Sequence, residues 1–92
     1  MKVRNEIYEL ISSSIIQTGF EYDLEVIDNS YKHVGHVGYN DEGESHFKVE
    51  ISSDFFKDMN KVKRHRIIFE WLGDVVTEKI HALEISVKSR DE

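Results

Sequence analysis

Residues 61–83, KVKRHRIIFEWLGDVVTEKIHAL, constrain the fold more than any other stretch of this sequence. The segment starts with basic residues, continues with apolar residues at helical spacing and ends in a polar turn before a strand-like segment. We expect a helix from about residue 61 to Val76, with Gly73 as a candidate bend or early end. Its apolar face, flanked by Ile68 and Val75, is wide enough to cover a small sheet and consists of Val62, His65, Phe69, Leu72 and Val76.

Three other segments alternate between apolar and polar residues, as half-buried strands do. They cover residues 20–28, 45–52 and 81–88. The inward-facing residues are predicted to be Phe20, Tyr22, Leu24 and Val26 in the first, Phe47, Val49 and Ile51 in the second, and Leu83, Ile85 and Val87 in the third. Residues 2–17 carry a helical pattern that Gly19 ends. Ser53 or Asp54 and Asp58 or Asn60 are candidate helix caps, and residues 89–92 are expected to form a tail.

The order helix, strand, strand, helix, strand predicts a single α+β domain over residues 1–92. Its three-stranded sheet is covered on one face by two helices. The first two strands are expected to be antiparallel and the third, reached through a helix, parallel to the second, so the sheet is mixed. Thr77, Glu78 and Lys79 form the turn, with room for one short extra helical turn. Residues 29–44 form a long loop, a place where function is often found.

The composition limits the class of protein and the kinds of metal ligand that this chain can provide. It has 39% hydrophobic and 33% charged residues, which is typical of a globular domain, and no run long enough to span a membrane. The N-terminus lacks a secretory pattern, so we expect a cytoplasmic protein, or one of the mitochondrial matrix if the chain is a processed eukaryotic one. With no cysteine among 92 residues, any metal ligands must come from the five histidines and the carboxylates.

The histidines differ in what their positions predict. His81 opens the last strand, where a side chain is usually accessible, and it can be either a ligand or a surface residue. His33 and His36 lie in the long loop, where one of them could reach His81; a solvated loop is the alternative. These residues are too few for a closed zinc site. His65 is expected to be a buried structural histidine, and His46 a surface residue or an anchor of the loop.

A basic cluster surrounds the start of the main helix. The cluster consists of Lys57, Lys61, Lys63, Arg64 and Arg66, which are either a solvated helix surface or a patch that contacts nucleic-acid phosphates. The last four are the predicted nucleic-acid contacts. The net charge of −6 opposes non-specific binding to nucleic acid but does not exclude a local basic face. A second group, Lys79, Lys88 and Arg90, is expected near His81, where it could attract an acidic partner or glutathione.

Four segments, LEVIDNSYKH, GESHFKVEISSDFF, KRHRIIFEWL and IHALEISVK, resemble the BolA family in their order and spacing. The similarity runs from about residue 3 to residue 88. It implies an αββαβ fold like that of the type II KH domain, with an extra short helix before the last strand. No GxxG segment lies between the helices, which argues against KH-type RNA binding.

The resemblance also implies a cofactor and a partner. BolA-like proteins share a [2Fe-2S] cluster with monothiol glutaredoxins, to which they contribute two ligands. Those positions correspond to His81 and to His33, with His36 as an alternative because the loop is longer than usual. The glutaredoxin cysteine and glutathione supply the other two ligands. Lys57, Asp58 and Met59 replace a stretch that often contains glycine, which bears on the turn there.

The expected function is therefore that of a non-enzymatic adaptor, monomeric when alone and without a bound cluster. It would act in iron–sulfur cluster assembly, trafficking or iron and redox sensing. The resemblance also implies an alternative, a DNA-binding transcriptional regulator that uses the basic start of the main helix. A protein-interaction module with incidental histidines is a third. The sequence contains no recognisable catalytic or nucleotide-binding arrangement.

Overall fold

The computed structural model describes residues 2–29, 46–80 and 82–92. In chain order these form helix α1 (Lys2–Ile16), strands β1 (Asp23–Asp28) and β2 (His46–Ser52), a short 3-10 helix (Asp54–Phe56), helices α2 (Lys61–Leu72) and α3 (Asp74–Lys79), and strand β3 (Ala82–Lys88). The predicted loop lies outside the described residues except for Asn29, and His81 also lies outside them. No helix in these ranges is long and apolar enough to cross a membrane.

The three strands form one mixed sheet in the order β1-β2-β3. β1 and β2 are antiparallel, with Val26 opposite Val49, and β2 and β3 are parallel, with Val49 opposite Ile85. This confirms the predicted α+β topology and the short extra helix. The third strand is parallel because the chain returns through α2 and α3 before it pairs again.

Alternation along the strands produces the core. The inward residues of β2 are buried and its outward residues are only partly covered, the pattern expected of a sheet with helices on one face. α1 adds the stripe Ile7, Ile11 and Ile15, all with no exposed surface. The buried core consists of Ile7, Ile11, Ile15, Val26, Phe47, Val49, Ile51, Phe56, Ile68, Leu72, Val75 and Val87.

The structure selects one of the alternatives for the end of the main helix. α2 ends at Leu72, so the candidate early end at Gly73 is confirmed and the continuation to Val76 is wrong. Gly73 has a φ of 57°, which is outside the right-handed helical region, and its N–H makes the last bond of the helix, to the Phe69 carbonyl at 2.9 Å. The predicted apolar face is wrong, because the buried face is rotated. Val62 is 59% exposed and Phe69 42% exposed, and the buried residues of α2 are Ile68 and Leu72. The helix has more apolar residues than one face can hold, so tertiary packing selects among them.

The first strand also begins later than predicted, at Asp23, and Phe20 is 48% exposed. Phe20 instead joins an aromatic group beside the strand. Its ring centroid lies 6.0 Å from that of Phe55, which stacks on Trp71 at 5.9 Å and meets Phe56 edge-on at 5.1 Å. The phenylalanines after β2 thus link the sheet to α2, and Phe20 is a partly exposed extension of that contact.

One end of the sheet is closed by buried serines. We call it the serine end; it comprises the ends of the strands at Asp23, Ser52 and Lys88, with the adjoining Ser53 and Ser89. The Ser53 N–H donates to the Lys88 carbonyl at 2.9 Å, and its hydroxyl donates to the Glu21 carbonyl at 2.7 Å. The same hydroxyl accepts from the Phe55 N–H at 3.3 Å and so caps the 3-10 helix. Ser53 therefore joins the segments that adjoin all three strands.

Residues 89–92 are not the tail that was predicted. They form a turn in which Ser89 is buried and its N–H donates to the Glu92 carboxylate at 3.0 Å. The Ser89 hydroxyl donates to Glu92 at 2.7 Å, and Arg90 pairs with Asp23 at 3.1 Å. The turn therefore belongs to the serine end.

Candidate functional site

The opposite end of the sheet is where the long loop and His81 are attached. We call it the histidine end, defined by Asn29, His46 and Ala82. The Asn29 N–H donates to the His46 carbonyl at 2.8 Å, which holds the two attachment points of the loop together. His46 is directly opposite Ala82 in the parallel register of β2 and β3. Three separate parts of the sequence thus meet at one end of the sheet.

The predicted cluster ligands, His33, His36 and His81, are outside the described residues. The structure does describe their neighbours in the chain. The segment that contains His33 and His36 leaves the sheet after Asn29 and returns at His46, and His81 precedes Ala82. An approach of a loop histidine to His81 stays a prediction, and the fold supplies attachment points that are compatible with it.

A cavity of about 310 Å³ is present at this end. Its lining consists of Asn29, His46, Phe47, Ala82, Leu83 and Glu84. His46, predicted to be a surface residue or an anchor of the loop, is half-buried here. Within residues 2–29, 46–80 and 82–92, no group of three or more His, Cys, Asp or Glu side chains could hold a metal ion. A metal site at this end therefore requires His81, the loop histidines or a partner.

The three residues predicted to attract a partner do not lie together. Lys79 ends α3, two residues before His81, and its ammonium pairs with Glu6 at 2.9 Å. Lys88 is the last residue of β3 and Arg90 follows it, so both belong to the serine end. At about 3.3 Å per residue, Lys88 lies roughly 20 Å from Ala82. The expectation that Lys88 and Arg90 are near His81 is wrong, because β3 runs away from the histidine end.

The basic residues on α2 also differ in their surroundings. Lys61, Lys63 and Arg66 are exposed. The Arg64 side chain is only 12% exposed and forms a two-pronged ion pair with Glu92, at 2.6 and 3.0 Å. One of its amino groups also donates to the Val87 carbonyl at 3.1 Å. Arg64 thus joins α2, β3 and the C-terminal turn, whereas its three neighbours face solvent.

The Arg64–Glu92 pair changes the acidity of the carboxylate. Arg64, followed by Ser89, lowers the pKa of Glu92 to about 2 through hydrogen bonds to its charged form. Sequence reasoning missed this pair because 28 positions separate the two residues and the last four residues were read as a tail. His65, expected to be buried, is half-buried and lines a groove between α2 and β3 together with Arg64.

The comparisons with known proteins agree with this fold. A model of the family described as BolA-like protein matches residues 16–92. SufE-like protein 1, chloroplastic/mitochondrial, of Arabidopsis thaliana is 44% identical over 71 residues, which are 73% of this chain and 19% of that protein. The DNA-binding transcriptional regulator BolA of Escherichia coli (strain K12) is 40% identical over 62 residues, 67% of this chain and 55% of that protein.

Among solved structures, BolA1 from Arabidopsis thaliana superimposes with a TM-score of 0.74 at 33% identity, covering 98% of this chain and 94% of that one. This chain spans less than two thirds of the length of either curated relative. The similarity therefore shows the family and the fold, and the activities of the longer proteins are not transferred with it.

Proposed function

We propose that this chain, which belongs to the BolA-like protein family, is a non-enzymatic adaptor that shares a [2Fe-2S] cluster with a monothiol glutaredoxin. His81 and His33 supply two ligands, with His36 as the alternative to His33. The glutaredoxin cysteine and glutathione supply the other two. When bound, the cluster provides a redox-active and transferable iron–sulfur unit for assembly, trafficking or sensing.

The main observation in support of this proposal is that both attachment points of the loop and the start of β3 meet at the histidine end. The loop that contains two histidines starts and finishes at residues joined by the 2.8 Å Asn29–His46 hydrogen bond. The residue after His81 is opposite His46 in the sheet. A ligand from the loop and a ligand from the start of β3 therefore have attachment points on the same few residues, although 45 or more positions separate them in sequence.

The histidines of this chain are suitable ligands for a [2Fe-2S] cluster. Imidazole replaces thiolate on one iron of some [2Fe-2S] centres, where it raises the reduction potential. This chain has five histidines and no cysteine, so its own ligands to iron are of that kind. Two histidines leave a cluster incompletely ligated, which favours completion by a second protein. Lys79 is the predicted partner-binding cation whose position adjoins His81, and the proposal assigns recognition of an acidic group to it.

Spectroscopic titration tests the proposal. A cluster-loaded monothiol glutaredoxin is mixed with increasing amounts of this protein, and visible absorption and circular dichroism are recorded. Ligand exchange from thiolate to imidazole is expected to produce a new spectrum that saturates at one chain per glutaredoxin. His81→Ala is expected to abolish it, and His33→Ala or His36→Ala identifies the loop ligand.

His65→Ala is the matched control, because it removes an imidazole from α2 rather than from the histidine end. It is expected to leave the new spectrum unchanged. The proposal is contradicted if the spectrum stays that of the glutaredoxin alone, or if His81→Ala behaves like the wild type. A complex that forms equally well without the cluster supports an interaction module instead.

The exposed part of the basic cluster supports DNA binding as a second candidate. Lys61, Lys63 and Arg66 face solvent, and no carboxylate of the described residues pairs with them. One relative is named as a DNA-binding transcriptional regulator. Lys61→Glu with Lys63→Glu is expected to weaken binding to duplex DNA and to reduce its salt dependence, since each phosphate contact contributes to the slope. Unchanged affinity in gel-shift titrations at two salt concentrations contradicts this function.

A further inference from the structure

The outer edge of β3 carries main-chain groups that the sheet does not use. β3 is an edge strand. The Lys88 carbonyl points towards β2, since it accepts from the Ser53 N–H, and the Val87 carbonyl points outward, since it accepts from Arg64. Main-chain groups alternate along a strand, so those of Ile85 and Leu83 also point outward. The Val87 carbonyl is already bonded to Arg64, so this edge offers the outward donors and acceptors of Leu83 and Ile85.

α2 packs against β3. Between them is a groove of about 450 Å³. Apolar side chains from Met59, Ile85 and Val87 line it, together with two exposed cations, Lys61 and Lys88. The combination of an apolar lining, an open strand edge and nearby positive charge suits an extended chain that carries alternating apolar and acidic side chains.

The groove already holds one carboxylate. Glu92 is part of its lining and binds Arg64 through both oxygens. The Arg64 Nε is buried and has no hydrogen-bond acceptor within the described ranges. The two amino groups of the Arg64 guanidinium thus bind the Glu92 carboxylate of the same chain, and its Nε–H is left without an acceptor within the described ranges.

We propose that the groove between α2 and β3 binds an acidic, extended peptide segment of a partner protein, which adds to the outer edge of β3 as a fourth strand. The positive lining stands out on a chain whose net charge is −6. A nucleic acid fits less well in this groove, because its phosphates are continuous and some of them would meet Glu92, whereas the carboxylates of a peptide can be spaced to avoid it. A peptide can place carboxylates beside Lys61 and Lys88 and keep apolar side chains against Ile85.

The test uses ¹⁵N-labelled protein and a short blocked peptide that alternates glutamate with valine. Addition to the edge is expected to shift the amide signals of residues 83–88 and of the first turn of α2, and to slow hydrogen exchange at Leu83 and Ile85. A peptide of the same sequence with alternate backbone nitrogens methylated is expected to bind at least about tenfold more weakly, since several ladder hydrogen bonds are lost.

Matched variants locate the site. Lys61→Glu is expected to weaken binding several-fold, because a cation in the groove becomes an anion. Lys57→Glu makes the same change at an exposed lysine outside the groove and is expected to leave affinity within twofold. The proposal is overturned if the largest shifts lie elsewhere, if N-methylation has no effect, or if the peptide shows no binding at millimolar concentration. It is also overturned if a single-stranded oligonucleotide binds the groove more tightly than the peptide.

Discussion

The two ends of the sheet are built differently. At the serine end, Ser53 has no exposed surface and bonds to residues beside all three strands. A second set of bonds runs from Ser89 to the Glu92 carboxylate, which in turn binds Arg64. At the histidine end, one main-chain hydrogen bond joins Asn29 to His46, the residues between which the histidine-bearing loop is attached. Side chains from distant parts of the sequence therefore hold the first end together, and the second end is the attachment point of the loop.

This difference indicates that stability and ligand binding depend on opposite ends of the sheet in this small domain. A chain of about 90 residues has a modest core, so buried hydrogen bonds and aromatic contacts at one end contribute much of what holds the strands in register. Residues that bind a shared group need access to a partner, and access is incompatible with full burial. We therefore expect changes at the serine end to alter stability and changes at the histidine end to alter binding.

The largest effect is expected for Phe56→Ala. Phe56 has no exposed surface and its ring meets those of Phe55 and Trp71, at 5.1 and 6.0 Å. Loss of a buried phenylalanine ring costs about 3–5 kcal/mol, which is a large part of the stability of a small domain. Urea unfolding followed by far-ultraviolet circular dichroism measures it. A loss below about 1 kcal/mol would mean that the aromatic group does not anchor this end.

A smaller effect is expected for Ser53→Ala. The substitution leaves the Glu21 carbonyl and the Phe55 N–H without their side-chain partner. An unsatisfied buried group costs about 1–3 kcal/mol. Ser52→Ala is the control, since Ser52 is half-buried and adjacent, and we expect a change within about 0.5 kcal/mol. Equal unfolding midpoints for the two variants would remove the special role of Ser53.

The Arg64–Glu92 pair predicts a dependence on pH. The pKa of Glu92 is about 2 in the folded state, below the usual 4.5, so the pair stabilises the fold fully above about pH 4.5. This contribution is lost as the pH falls from 4.5 to 2. The difference in urea midpoint between wild type and Glu92→Gln should therefore shrink over that range. In Arg64→Met, carboxyl NMR should show the pKa of Glu92 returning towards 4.5; an unchanged value would contradict the assignment.

The smallest stability effect concerns Asp58, which has a φ of 67° just before α2. This left-handed conformation costs a residue with a Cβ about 1–2 kcal/mol, and glycine adopts it freely. Glycine also makes the unfolded chain more flexible, which offsets about 0.4–1 kcal/mol of the gain. Asp58→Gly is thus expected to stabilise by less than about 1 kcal/mol, and Asp58→Ala to provide no gain. Thermal denaturation of both variants distinguishes backbone strain from loss of the carboxylate.

Local patterns predict the sheet and the first helix well. Alternation in residues 45–52 identifies the buried Phe47, Val49 and Ile51, because the side-chain period of a strand is fixed by its backbone. The parallel pairing of β3 follows from the helical crossover that precedes it. The convergence of the loop ends and the start of β3 is a consequence of that topology, so it too was within reach of the sequence.

Features set by tertiary contacts were not predictable in this way. Val62 and Phe69 suit a buried face as well as Ile68 does, and only the placement of α2 against the sheet decides between them. Arginine is usually exposed, yet the side chain of Arg64 is mostly buried, because Val87 and Glu92 supply its hydrogen-bond acceptors. The choice between His33 and His36 lies outside the described residues, so it requires the exchange experiment above.

The most direct test of the central claim is electron paramagnetic resonance on the reduced mixed complex. The protein is prepared with ¹⁵N-labelled histidine and combined with an unlabelled, cluster-loaded glutaredoxin. If His81 and a loop histidine bind iron, pulsed measurements should show strong nitrogen couplings that change from the ¹⁴N to the ¹⁵N pattern on labelling, with one coupling lost in His81→Ala. Couplings that do not respond to the label would show that no histidine of this chain binds the cluster.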